Sequence, residues 1–193
     1  MRAITFDIES ISDSAVRGRV DVSEQELVVI AIHDSLTGAY TSYTREELPQ
    51  LWPILEAADV LIGFNSNTFD IPLLNRYYPG DLTRLHSLDL LLEVQQVLGR
   101  RIRLQSLAEA TLGRGKAGDG MKAGEWWKDG KHDKVREYCI EDVRLTRELY
   151  DYALANGSLK YKDLRDFREI KLDTSGWQNG SEAAPAMTHA LPL

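Results

Sequence analysis

The stretch LVVIAIHDSLTGAYTSY, residues 27–43, decides the fold class. Its first seven residues form a nearly continuous apolar run rich in β-branched side chains, which predicts a strand buried on both faces. Asp34-Ser35-Leu36-Thr37-Gly38 is turn chemistry, so residues 39–43 are expected to return antiparallel to the run. Upstream, residues 2–9 alternate Ile4, Phe6 and Ile8 with Ala3, Thr5, Asp7 and Glu9, the period of a strand. Downstream, Thr44-Arg45-Glu46-Glu47 matches a capping box and opens a helix whose apolar positions are Leu48, Leu51, Trp52 and Leu55. Pro49 and Pro53 make that helix short, kinked or begun at Pro49.

The remaining segments extend the same alternation. Residues 60–64 (VLIGF) read as a buried strand, and residues 69–77 as a helix with Pro72 in its first turn. Residues 87–92 carry a short strand leading into a helix that stops at Gly99, and residues 104–112 form a compact helix closed by Gly113. The glycine-rich residues 113–130 read as a long loop. Asp133 is expected to cap a strong helix running to about residue 155, with a polar helix over residues 160–170 after it. An antiparallel pair followed by strands alternating with helices predicts an α/β domain with a mixed sheet. Its expected extent is residues 1–172. From Asp173 the composition shifts to Gly, Ser, Ala and Pro, so residues 173–193 are expected to be a flexible tail or one clamped by a partner.

Composition narrows the classes. With 193 residues, 43% hydrophobic and 27% charged, the chain is neither disordered nor fibrous. Its single cysteine, Cys139, excludes an internal disulfide framework and a thiolate zinc cluster. No apolar run is long enough to span a bilayer, so no membrane partner is expected, and an intracellular, cytoplasmic protein is the default. The net charge of −7 is unevenly spread: residues 1–98 hold 6 basic and 15 acidic side chains, while residues 99–136 hold 10 basic and 5 acidic. A basic centre in an acidic chain is compatible with phosphate contact.

Three constellations carry chemistry. In Phe6-Asp7-Ile8-Glu9, a strand projects both carboxylates from one face, where they repel unless a cation lies between them. Such oxygen ligands suit Mg²⁺ or Mn²⁺; a strand end leaving the sheet into solvent would give the same pattern. In Asn65-Ser66-Asn67-Thr68-Phe69-Asp70, the aspartate starts a helix just after a strand. It could cap that helix, or act as a ligand at the carboxyl edge of the sheet. In Tyr138-Cys139-Ile140-Glu141-Asp142, the four-residue spacing stacks Tyr138 and Asp142 on the mostly apolar face of Val135, Leu145, Thr146 and Leu149. An aspartate on a buried stripe is costly unless paired or bound to metal. Glu137 and Glu141 read as solvated, and Cys139 as a small core filler pointing away from the Tyr138–Asp142 face.

Taken in this order, the three motifs resemble those of the DEDD-type 3′–5′ exonuclease superfamily, in the tyrosine subgroup of family B polymerase proofreading domains and their free-standing relatives. The resemblance spans residues 2–152. It implies an RNase H-like fold with a five-stranded mixed sheet flanked by helices. It implies two divalent cations, Mg²⁺ or Mn²⁺, held about 3.5–4 Å apart by Asp7, Glu9, Asp70 and Asp142. It implies that Tyr138 orients the attacking water, since a phenol of ordinary pKa near 10 is a poor general base. None of His33, His86, His132 and His189 stands where the histidine subgroup would need one.

Further residues are candidates for substrate contact. Trp126 and Trp127 lie among Lys122, Lys128 and Lys131, an arrangement that either stacks bases and holds phosphates or plugs the side of the core. Arg101, with Arg100 and Arg103, either grips a nucleic-acid backbone or forms a solvated turn. Ser10, Asn65 and Phe69 adjoin the carboxylate motifs and could touch the terminal nucleotide, although Asn65 is equally suited to bonding its own loop. The function expected is removal of nucleoside 5′-monophosphates from the 3′ end of single-stranded DNA or RNA, free-standing or alongside a polymerase or helicase in trans. The alternatives are an RNase H-like endonuclease using the same ions and a non-catalytic nucleic-acid-binding module.

Overall fold

The computed structural model describes residues 1–12, 21–115 and 122–178. Five strands, β1 (Ala3–Ser12), β2 (Gln25–Asp34), β3 (Ala39–Thr44), β4 (Val60–Gly63) and β5 (Ser87–Asp89), form one sheet in the order β3-β2-β1-β4-β5. β2 is antiparallel to both β1 and β3, whereas β1, β4 and β5 run parallel. This is the expected five-stranded mixed sheet of an RNase H-like α/β fold. β2 is buried from Leu27 through Asp34, as its unbroken apolar run requires.

Alternation along β1 divides the core. Ile4, Phe6 and Ile8 face helices α1 (Leu48–Glu56) and α2 (Asp70–Asn75) in a cluster with Ile30, Ile32, Leu51, Leu55, Leu73 and Leu74. The capping box of Thr44 and Glu47 is present, followed by a single 3₁₀ turn, and Pro49 sits in the first turn of α1, where its missing N–H is harmless. The opposite face of the sheet is covered by the long helix α6 (His132–Asn156). The early part of α6 packs Val135, Cys139 and Val143 on Val29 and Ala31. Its later part places Leu145, Leu149 and Ala153 among residues of β4, β5, α3 (Leu90–Leu98) and α4 (Leu104–Leu112). Gly99 and Gly113 close α3 and α4 in the left-handed conformation read from the sequence.

Four expectations are corrected. The glycine-rich stretch contains a helix, α5 (Lys122–Lys128), which packs on β1 and α6; residues 116–121 of the same stretch lie outside the described residues. Its intrinsic propensity is low, and tertiary packing supplies the stability of so short a helix. Helix α6 starts one residue before Asp133, with Lys131 at the cap position and Asp133 in the first turn. Helix α2 ends at Asn75, two residues short of the expected end. The polar helix over residues 160–170 is instead a hairpin of β6 (Ser158–Asp163) and β7 (Asp166–Lys171). Leu159 and Ile170 pair across it and are buried, a period-two pattern masked by the surrounding charges. Thr111 Oγ1 both accepts from the Lys160 N–H (2.9 Å) and donates to its carbonyl (3.0 Å), closing the free edge of β6. Of the expected tail, residues 173–178 are described, and Trp177 is buried against Tyr150; residues 179–193 lie outside the described part. Among the described residues no helix is long and apolar enough to cross a membrane.

Candidate metal centre

The parallel strands β4 and β5 end together, level with the middle of β1, which runs on past them. Thr5 is level with Ile62, and Gly63 with Asp89, so Asp7, the β4–α2 connection and Asp89 gather at the carboxyl edge of the sheet, where open α/β sheets place their ligands. β1 keeps Asp7 and Glu9 on the α6 side because Phe6 and Ile8 occupy the other. A register shift between Glu9 and Ser10 follows at once, and such bulges re-aim side chains beside sites.

Across from this strand, α6 delivers Asp142. Asp7, Glu9 and Asp142, each half-buried, bring one carboxylate oxygen apiece to within 4.8 Å of one another. Asp70 stands beside them as the first residue of α2, only 4% exposed. Burial pushes its carboxyl up to about 7, and the charges of Asp89 and Asp142 push the same way, opposed by hydrogen bonds from its own N–H and from that of Ile8. The same crowding acts on Cys139. Burial first, then the charges of Asp7, Glu9 and Asp142, raise its thiol well above the ordinary value. Hard oxygen donors, convergent geometry and mutual repulsion together fit a divalent cation and no soft metal.

Tyr138 lies one turn before Asp142, buried, with its ring edge-on to Trp126 at 5.6 Å. Lys134 Nζ sits 4.1 Å from the centre of the Trp126 ring. Trp127 stacks on His132 at 4.1 Å. Both tryptophans are half-buried against the cluster of Val29, Ala31 and Val135.

The other candidates are placed as follows. Ser10 Oγ donates to Gln25 Oε1 (3.1 Å), within the β1–β2 pair. Asn65 takes up φ +71°, and its Oδ1 accepts from Thr68 Oγ1 (2.8 Å) and from Arg101 Nη2, so Asn65 and Arg101 do meet at the strand-to-helix junction. Phe69 packs into the α1–α2 core. The Lys131 ammonium is paired with Asp129 (2.8 Å) at the surface.

Two neighbours of the site were not anticipated. Cys139 does not point away: its Sγ is 3.2 Å from the Asp7 carbonyl. The spacing Val135-Cys139-Val143 is the signal for that stripe. Asp89 caps α3 and also bonds the β4–α2 connection. An aspartate between a short strand and a leucine run announces the cap but not the second contact.

The profile of the RNase H superfamily matches residues 6–154. Among solved structures, the fold is similar to that of the family B DNA polymerase from the hyperthermophilic archaeon Pyrobaculum calidifontis, with a TM-score of 0.62 and 22% sequence identity over 79% of this chain. The match takes in 24% of the polymerase, so the chain spans about a quarter of its length. No curated protein sequence matches the chain significantly.

Proposed function

The chain belongs to the RNase H superfamily, and from that premise we propose that it is a metal-dependent 3′–5′ exonuclease acting on single-stranded nucleic acid. The observation that carries the reading is the convergence of Asp7, Glu9 and Asp142 at the carboxyl edge of the sheet, with Asp70 buried beside them. Two divalent cations, Mg²⁺ or Mn²⁺, would supply an acidified water at the terminal phosphorus and neutralise charge on the leaving 3′ oxygen.

The protein's own groups do the rest. Asp7, on β1, and Asp142, on α6, would hold the cations from two elements packed helix on strand. Glu9 and Asp70 complete the oxygen set. Tyr138, one turn from Asp142 and braced by Trp126, directs its phenol toward the attacking water and orients it. Arg101, anchored on Asn65, adds a cation at the strand-to-helix junction and steadies a phosphate of the strand. The half-buried indoles of Trp126 and Trp127 line the α5 side.

The test is purified protein against single- and double-stranded DNA and RNA, labelled at the 3′ or the 5′ end, with Mn²⁺ and with EDTA. The proposal expects immediate release of a 3′ label as mononucleotide and a descending ladder from the 5′ label, both abolished by EDTA. Internal cleavage products at the earliest times would instead identify an endonuclease, and intact substrate with retained binding would identify a non-catalytic module.

A further inference from the structure

Asp89 is 2% exposed and closes β5. Its Oδ1 accepts from the backbone N–H groups of Asn65 (2.8 Å), Leu91 (3.0 Å) and Leu92 (3.4 Å), and its Oδ2 from that of Asn67 (3.0 Å). Two of these donors are the orphan amides that begin α3. A serine or asparagine at this position would satisfy them with one oxygen. The other two donors belong to the connection that leads from β4 to Asp70: Asn65 shares Oδ1 with the cap, and Asn67 is reached only by the second branch of a carboxylate. The cap alone therefore does not account for aspartate here.

That connection needs holding. Asn65 is a non-glycine residue in the left-handed region, a conformation that persists only where its surroundings impose it. Ser66 is fully buried, and its side chain lies 2.4 Å from where a Cβ on Gly63 would be, so the chain doubles back tightly on its own strand. The Ser66 carbonyl accepts from the Ile71 N–H (2.9 Å), within one residue of Asp70. Release of residues 65 and 67 would free the segment whose last member is a metal-site carboxylate.

We propose that Asp89 is the positioning residue of the metal centre, holding the β4–α2 connection so that Asp70 stays level with Asp7 and Asp142. The role rests on the exonuclease reading and specifies how that site is kept in register. Asp89→Ser separates the two duties, since serine caps α3 but has no second oxygen for residue 67. In the metal-free protein, amide exchange at Asn67 should quicken at least tenfold while Leu91 and Leu92 stay protected. With Mn²⁺, kcat on a single strand should fall 10- to 100-fold, with KM changed less than threefold and a higher Mn²⁺ requirement. Asp89→Asn, which keeps Oδ1 and loses only the bond to Asn67, should quicken exchange at Asn67 and lower kcat in the same direction, and it carries the test if Asp89→Ser does not fold. Unchanged exchange at residue 67, or a kcat within threefold of the parent in both variants, overturns the proposal. A parent protein with no hydrolytic activity would overturn the exonuclease reading instead, leaving the exchange measurement to decide the grip of Asp89 on its loop.

Discussion

The Sγ of Cys139 lies 3.2 Å from the backbone carbonyl of Asp7 and 3.7 Å from its Oδ2, so the chain's one thiol is the wall behind the carboxylates. With burial and three acidic neighbours holding it protonated, the thiol should resist alkylation in the folded protein and react in urea. Cys139→Ser keeps a donor for the Asp7 carbonyl and should retain hydrolysis within a fewfold. Cys139→Leu overfills the contact, costs roughly 1–3 kcal/mol of stability and displaces Asp7. Urea unfolding and initial rates on the two variants check this; equal activity in both would show that Asp7 does not depend on the contact.

Repulsion among Asp7, Glu9 and Asp142 sets a second expectation. Millimolar Mn²⁺ should raise the melting temperature of the parent protein, because the cation binds the folded state alone. Asp142→Asn should lose that shift, melt higher than the parent in EDTA, and hydrolyse on the order of 10³-fold more slowly, the effect of losing several kcal/mol of transition-state stabilisation. A metal-dependent shift that survived in Asp142→Asn would place the cation elsewhere.

How much of this was legible in the sequence depends on the range of the interaction. The sheet was legible because each strand announces itself locally: Leu27 to Ile32 by an unbroken apolar run, β1 by the alternation of Ile4, Phe6 and Ile8. The cluster of Asp7, Glu9 and Asp142 was legible by a different route, since an acid on the buried stripe of α6 demands a counter-charge. What escaped was set by tertiary packing. The β6–β7 hairpin hides two buried positions, Leu159 and Ile170, among charged residues, and no local signal pairs Thr111 with the edge at Lys160. Helix α5 contains Gly124 and is held by its seat against Ile11 rather than by propensity. The four-amide grip of Asp89 joins residues more than twenty positions apart.

His33 is 2% exposed, and Arg147 Nη1 lies 2.6 Å from its Nε2, which makes that nitrogen the acceptor and the ring neutral. Burial, then the Arg147 charge, lowers its pKa. Below the unfolded value near 6.5 the unfolded chain binds a proton that the folded one refuses, so stability falls as pH drops from there until the lowered folded pKa is reached. Asp70, with its carboxyl raised to about 7, acts in the opposite sense over this range in both proteins. The His33 slope, at most about 1.4 kcal/mol per pH unit, is therefore read as the difference between parent and His33→Gln in denaturant unfolding between pH 8 and 5. An identical slope in the variant would assign the proton to another group.

Trp177 lies past the last strand, yet it is 4% exposed, stacks on Tyr150 with ring centres 5.7 Å apart, and donates Nε1–H to Glu93 Oε2 at 3.4 Å. It joins Leu149, Leu159 and Ile170 in the cluster between α6 and the hairpin, on the far part of α6 from Asp142. Removing a buried indole typically costs about 3–5 kcal/mol, a large share of the stability of a single domain. Trp177→Ala should therefore lower the urea midpoint sharply and Trp177→Phe only partly, because a phenyl ring keeps the stack on Tyr150. Per folded molecule, hydrolysis should stay within about twofold of the parent, since Trp177 packs on Tyr150 and the hairpin side of the cluster, along the later part of α6. A chain ended after Leu172 should be destabilised as Trp177→Ala is. If Trp177→Ala kept the parent midpoint, the segment from Asp173 to Gln178 would be an appendage, and the core would close at Leu172.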